Sequence, residues 1–288
     1  MITVNGSQIL FEQTDGVTSQ CRDRGWSASF VSKRNPLKDT ANEDCLAWYR
    51  VDDTTAVFAV ADGCGGMRGG EQASRLALEA LGASIDANRD RPNRLRAAIL
   101  DGIEEANESI RALRIGAACT LAVVEYHRGT IRAYHVGDTQ VLVMGGRGRI
   151  RYQSICHSPV GFAVEAGWLQ EEDAMHHEDR HLVSNVVGCD SMRIEIGPSL
   201  RLGALDTVVI ASDGLFDNVS IPGVVDRLRK GNLQKAVSSV VDTAIARMHG
   251  VDGEPSKPDD ISMIALRPLN LRELSDYEEG PDASIKPR

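Results

Sequence analysis

The stretch that most constrains this chain is Ala56-Val57-Phe58-Ala59-Val60-Ala61-Asp62-Gly63-Cys64-Gly65-Gly66. Its unbroken apolar run has no polar face, so a strand built from it must be covered on both sides. Asp62 closes the run, and the glycines behind it permit positive φ and close backbone approach to a ligand. A carboxylate at the rim of a core is costly unless a cation meets it. The same device returns in Thr207-Val208-Val209-Ile210-Ala211-Ser212-Asp213-Gly214. Any fold for this chain must therefore bury two apolar strands and deliver an aspartate at the end of each.

Helical stripes account for the cover. Ala73, Leu76, Ala77, Ala80, Leu81 and Ile85 repeat at helical spacing, as do Leu95, Ala98, Ile99, Ile103, Ala106, Ile110 and Leu113, with Pro92 in the turn between. A second pair follows Gly214. Ser220 is placed to cap its first helix near Pro222, and Leu233, Ala236, Val237, Val240, Val241, Ala244, Ile245 and Met248 form the stripe of the other, which stops at Gly250. Residues 119–126, 131–136, 140–144 and 149–152 are short β-rich runs with short joins, which predicts a meander of antiparallel neighbours. Residues 156–188 are polar and weakly periodic, a flap with one short helix over 170–175. The cluster His176-His177-Glu178-Asp179-Arg180-His181 is read as a solvated helix end. Runs of strands and runs of helices in this order indicate a layered α+β domain. We expect it to span residues 22–268, with an N-terminal segment 1–21 and a polar tail 269–288.

Composition narrows the function. A net charge of −9 offers no basic stripe for nucleic acid. No run reaches the length of a membrane span, and the first residues lack the pattern of a signal peptide. Cys21, Cys45, Cys64, Cys119, Cys156 and Cys189 include no C-x-x-C pair, which disfavours zinc and suits reduced thiols in a cytoplasmic protein.

Several acids stand at strand ends: Glu43 and Asp44 before 45–49, Asp62, Asp138 after 131–136, Asp213, and Asp259-Asp260 before 261–266. If the strand mouths share one edge, two such charges ~4 Å apart repel by about 4 kcal/mol at a surface dielectric. Raised pKa values or divalent cations relieve this. An all-oxygen set favours Mg2+ or Mn2+ over Zn2+. Two such ions ~3.5–4 Å apart activate a water for hydrolysis of a phosphate ester.

Asn42-Glu43-Asp44, Ala61-Asp62-Gly63-Cys64-Gly65-Gly66 with Gly70-Glu71-Gln72-Ala73-Ser74, Gly137-Asp138-Thr139, Ser212-Asp213-Gly214 and Asp259-Asp260-Ile261-Ser262 occur in that order. The ordered set resembles the metal-dependent serine/threonine protein phosphatases of type 2C, as does Gly167-Trp168-Leu169-Gln170-Glu171-Glu172-Asp173-Ala174 in the flap. The resemblance implies an antiparallel β-sandwich flanked by helix pairs, four layers in the order α-β-β-α, with metals at one edge. It implies a phosphoserine/phosphothreonine protein phosphatase that uses a metal-activated hydroxide, with Asp62 and Asp213 central to catalysis. Asp62 would bridge two ions and the Gly63 carbonyl would bind one. Asp213 and Asp259 would complete the other ion's ligands, and Glu43 and Asp44 would act largely through water. Asp138 with Asp213 matches the place of a third ion in bacterial relatives. The implied partners are a phosphorylated protein and a cognate serine/threonine kinase.

Three positions depart from the pattern. Asp39 stands where the family places an arginine for substrate phosphate, which leaves Arg34 first and Lys38 second as phosphate-binding residues. Cys64 replaces the histidine or methionine of relatives and is read as structural, not nucleophilic. Asp260 replaces an asparagine, so Asp259 and Asp260 can exchange roles. The alternative reading is a regulatory module that keeps the fold, has weak or no activity, and binds a phosphoprotein or kinase.

Overall fold

The computed structural model describes residues 2–4, 7–10, 19–23, 25–64, 69–253 and 256–269. Gly65, Gly66 and the tail from Asn270 lie outside these residues. In chain order the strands and helices begin with β1 (Ile2–Val4), β2 (Ser7–Leu10), β3 (Ser19–Asp23), β4 (Trp26–Lys33), β5 (Asp44–Asp52) and β6 (Thr55–Gly63). The first helix pair is α1 (Gly70–Ala87) and α2 (Leu95–Ala112). Next come β7 (Cys119–His127), β8 (Thr130–Val136), β9 (Gln140–Met144), β10 (Ile150–Gln153), α3 (Pro159–Glu165) and α4 (Glu171–Ala174). The chain continues with β11 (Glu195–Ile196), β12 (Leu200–Arg201), β13 (Thr207–Ala211), α5 (Asp213–Phe216), α6 (Ile221–Leu228), α7 (Leu233–Met248) and β14 (Ile261–Pro268).

Strand β6 explains its own sequence. Ala56, Phe58 and Val60 point into a core shared with Trp26, Phe30, Leu46 and Ile264. Val57, Ala59 and Ala61 point the other way, against Ala77, Leu81, Ile99 and Ile103 of α1 and α2. One face meets a second sheet and the other a helix layer, so alternation gives way to a continuous apolar run. Strand β13 divides in the same manner: Val208 and Ile210 enter the shared core, while Val209 and Ala211 meet Val224, Leu228, Val237 and Val241 of α6 and α7.

The two sheets run β1-β2-β5-β6-β7-β8-β11, with β12 also on β8, and β10-β9-β13-β14-β4-β3. Every pairing among the described residues is antiparallel. This is the expected α-β-β-α sandwich. Within segment 1–21, β2 pairs with β5 and β1 with β2, and most of β3 pairs with β4.

The meander is corrected. Strand β8 belongs to the first sheet and β9 to the second, so residues 137–139 carry the chain across the sandwich. Short joins require antiparallel neighbours only within one sheet, and a tight bend can also turn a corner between two packed sheets. Here the bend is Gly137, at φ 98°, where a Cβ would collide with the Thr120 side chain. The flap also holds α3, a helix that its short stripe did not announce. Its N-cap Ser158 accepts a hydrogen bond from Gly161 N at 2.9 Å.

Candidate metal centre

The sheet register brings two of the acids together. Asp44 on β5 lies directly opposite Asp62 on β6, and Asp62 opposite Thr120 on β7. Asp138 enters from the crossover, Asp213 from the first turn of α5, and Asp259 from the approach to β14. Asp62 thus meets the charges of Asp44, Asp213, Asp259 and Asp138. The five strand-end aspartates converge on one edge of the sandwich.

Buried hydroxyls fix this edge. Ser212 donates to Asp44 Oδ2 at 2.8 Å and accepts from Ser262 N at 3.0 Å. Ser262 donates to Ser32 Oγ at 2.8 Å, and Asn42 Nδ2 donates to the same oxygen at 2.9 Å. Asn42 Oδ1 in turn accepts from Asp44 N at 2.9 Å. This network ties the ends of β4, β13 and β14 to β5 with its members satisfied by one another. On the other side, Gly63 N donates to Glu43 O at 3.1 Å and Ser74 of α1 donates to the same carbonyl at 2.6 Å. A Cβ on Gly63 would overlap the Gly70 backbone.

Crowded charge shows in the acids. Burial, then Asp44 and Asp213, push the Asp62 carboxyl well above the usual range. Burial and Asp260 raise Asp44 against the hydrogen bond from Ser212. Burial and Asp213 push Asp138 up to about 8, with Lys257 pulling it down. Burial and Asp213 likewise raise Asp217 and Asp259 to about 6. Burial, then Asp138 and Asp213, push the Cys64 thiol up to about 12, so it stays protonated and is no nucleophile near neutral pH.

The two adjacent acids at 259–260 separate clearly. Asp260 is 2% exposed, and its oxygens accept from Asn35 N at 2.7 Å, Glu43 N at 2.7 Å and Lys38 Nζ at 3.0 Å. It organises the loop before β5, while Asp259 faces Asp213 and Lys257. The two basic candidates stand in different surroundings. Lys38 Nζ bonds Glu43 Oε2 at 2.5 Å as well as Asp260; burial pulls this ammonium down, but its two acid partners outweigh that and raise it. Arg34 is exposed and makes no hydrogen bond or ion pair among the described residues. The loop turns Lys38 inward because Asp260, buried and charged, requires a cation.

Sequence reasoning missed two members. Asp217 stands one helical turn after Asp213, an i, i+4 spacing that was available as a signal. Lys257 lies in a loop with no periodicity to mark it. Its Nζ stands 2.5 Å from Asp213, 3.2 Å from Asp217 and 3.4 Å from Asp259. Burial disfavours that ammonium, but Asp213 and Asp217 outweigh it and hold its pKa well above the ordinary value.

The donor set fits divalent cations that prefer oxygen. The Asp62 carboxylate has no hydrogen-bond donor among the described residues. Asp217 Oδ2 is buried and, although within ion-pair range of Lys257, has no aligned donor. A second cluster does not fit. His135, His157 and Glu195 lie together, but the two rings stack at 4.5 Å and 22°. Lone pairs lie in the ring planes, and planes this nearly parallel do not meet within metal–nitrogen distances of ~2 Å. His157 instead anchors the crossover: its Nδ1 accepts from Gly137 N at 3.0 Å and Asn185 Nδ2 at 2.8 Å, and its backbone N–H donates to Gly137 O at 3.0 Å. His176, His177 and His181 are exposed, as a solvated helix end requires.

Fold and site together define a class: a four-layer α-β-β-α protein with an oxygen-rich carboxylate centre at one sandwich edge. The chain belongs to the protein phosphatase 2C family, whose profile matches residues 34–248, and so to the protein phosphatase enzymes. It is 28% identical over 192 residues to the protein phosphatase PhpP of Streptococcus pneumoniae, covering 64% of this chain and 76% of that one. It is 25% identical over 269 residues to the serine/threonine phosphatase Stp of Listeria welshimeri, covering 89% and 99%. Its fold matches the catalytic domain of the serine/threonine protein phosphatase PstP, a structure in complex with two manganese ions. That match has a TM-score of 0.67 at 22% identity and covers 85% of this chain and 99% of the other.

Proposed function

We propose that this chain is a Mn2+- or Mg2+-dependent phosphoserine/phosphothreonine protein phosphatase. The observation that carries the reading is the convergence of Asp44, Asp62, Asp138, Asp213 and Asp259 on one edge, where burial and neighbouring acids raise the carboxyls of Asp44, Asp62, Asp138 and Asp259. The manganese pair of the PstP structure supports it by analogy. When bound, a pair of divalent ions offsets these charges and activates water for attack on phosphorus. Asp62 and Asp213 would hold the pair from the ends of the two sheets, with Asp259 beside Asp213 and the Gly63 carbonyl as a further ligand. Ser212 fixes the orientation of Asp44, and Glu43 stands at the rim where Lys38 holds it.

A protein substrate suits the space beside the acids. A cleft of about 340 Å3 runs from Asp138, Asp213 and Asp217 beneath the flap, with Val160, Val164, Phe216 and Ile221 in its walls. It has room for a side chain that flanks a phosphorylated residue. The phosphoprotein's kinase is the natural second partner. No described helix is long and apolar enough to cross a membrane. None of the six cysteines is in a disulfide, which suits the reducing cytoplasm.

Hydrolysis of p-nitrophenyl phosphate and of a phosphothreonine peptide, each with Mn2+, with Ca2+ and after EDTA, tests the proposal. We expect reversible loss in EDTA, recovery with Mn2+ beyond that with Ca2+, and preference for the peptide. Full turnover after exhaustive chelation would overturn the metal mechanism, and preference for the small ester would overturn the protein substrate. One observation favours the second reading, a weakly active regulatory module: Lys38 is committed to two acids and Arg34 touches none of them. Absence of turnover on both substrates in excess Mn2+, with phosphopeptide still bound, selects that reading.

A further inference from the structure

Lys257 is not a loose surface lysine. Asn218, fully buried at the end of α5, grips it through the backbone from both sides: Lys257 N donates to Asn218 Oδ1 at 3.1 Å, and Asn218 Nδ2 donates to Lys257 O at 2.8 Å. Asn218 is itself held, its amide donating to Gly214 O at 2.9 Å and its carbonyl accepting from Arg247 at 2.8 Å. From the flap, Arg180 donates to Ser256 O at 3.0 Å. The loop is thus fixed on three sides, and it sends one ammonium into the centre.

That ammonium reaches only one half of the cluster. It contacts Asp213, Asp217 and Asp259, whereas Asp44 and Asp62 lie on the half fixed by β5 and β6. A divalent ion ligated by Asp213 and Asp217 would sit ~2.0–2.2 Å from an oxygen of each. The ammonium stands 2.5 and 3.2 Å from Oδ2 of the same two residues, so an ion ligated by those two oxygens would overlap it, whereas an ion shared by Asp62 and Asp213 has the other Asp213 oxygen to use. Charge balance agrees with one resident monovalent cation. Two divalent ions and one ammonium offset five of the six charges on Asp44, Asp62, Asp138, Asp213, Asp217 and Asp259.

We propose that Lys257 is a tethered cation that takes the place of a divalent ion on the Asp213–Asp217 side, so that this chain loads two divalent ions and not three. The inference rests on the metal-dependent reading above. It assigns Lys257 a role in the stoichiometry of the centre, which follows from a side chain that sequence periodicity does not reveal. The charge it supplies is permanent, so the outer acids need no dissolved metal to be neutralised.

The test counts ions. Metal-free full-length protein is titrated with Mn2+ by calorimetry, with bound and free ion separated by electron paramagnetic resonance, for the wild type, Lys257→Met, Lys257→Gln and Lys257→Arg. The wild type is expected to bind two ions, the two neutral variants three, and Lys257→Arg two. The added ion should bind at least about tenfold more tightly than any further Mn2+ on the wild type, and Asp217→Asn in the Lys257→Met background should abolish it. If a neutral variant folds only with metal, it is purified in Mn2+, desalted and its manganese counted by mass spectrometry. Three ions on the wild type, or two on both neutral variants, overturns the proposal while leaving the metal-dependent reading intact. No stoichiometric Mn2+ on the wild type overturns both.

Discussion

Asp260 and Lys38 show how one exchanged residue redirects its neighbours. An asparagine at position 260 would need only hydrogen bonds, whereas the buried carboxylate calls in an ammonium, and the one that reaches it is Lys38. Lys38→Ala should therefore destabilise the protein by about 1–3 kcal/mol, because Asp260 is left charged without a cation. Combining it with Asp260→Asn should restore most of that loss. Arg34→Ala should stay within about 0.5 kcal/mol of wild type. Urea unfolding of the wild type, these three variants and Asp260→Asn alone checks this, and additive single effects would contradict the pairing. The centre itself should be less forgiving. Asp62→Asn or Asp213→Asn should lower kcat at least about 100-fold, while the metal-free Tm holds or rises because repulsion between acids falls. Near-normal turnover of either purified variant in excess Mn2+ would remove that residue from the site.

At the scale of elements, β6 joins two cores and the centre in nine residues. Phe58 is fully buried and meets Trp26 edge to face, with ring centroids 4.8 Å apart. Phe58→Ala should cost about 3–5 kcal/mol, lowering Tm by roughly 10 °C for a domain of this size, without altering the ratio of activities in Mn2+ and Ca2+. Gly63→Ala acts at the other end of the same strand. Its methyl group must displace the backbone of Gly70, where α1 begins. Both stability and Mn2+ affinity should fall, because the strand end and the helix start can no longer approach. Calorimetry of the two variants separates the cases: Phe58→Ala with unchanged Mn2+ affinity, Gly63→Ala with weakened affinity.

The whole molecule carries a surplus of buried acid whose titration links pH to stability. Without metal, Asp138 titrates near 8 and Asp217 and Asp259 near 6 in the folded protein, against roughly 3.9 in the unfolded chain. Between those limits the folded state binds more protons than the unfolded state, so raising the pH through 6 to 8 withdraws stability. The metal-free Tm should fall by more than about 5 °C between pH 5.5 and 8.5. Saturating Mn2+ binds the deprotonated acids and should flatten or reverse that slope. Thermal scans across this range with EDTA and with Mn2+ provide the measurement. A metal-free Tm that rises with pH would show that the acids are not crowded.

The sequence by itself determined what depends on neighbours along the chain. Continuous apolar runs at 56–61 and 207–211 required strands covered on both faces, helical stripes supplied the cover, and aspartates at the strand ends marked one edge. Burial periodicity is local, so these features were legible residue by residue. Tertiary structure decided what depends on segments far apart meeting. It moved β9 out of the sheet of β8, because Gly137 turns a corner that a short join does not announce. It brought β1, β2 and β3 to the sheet edges, separated Asp259 from Asp260, and chose Lys38 over Arg34 by the demand of one buried carboxylate. It also drove Lys257 into the acids, held by Asn218 from another element 39 residues away. A charge finds its partner through space, and only the packed sandwich determines which space is shared.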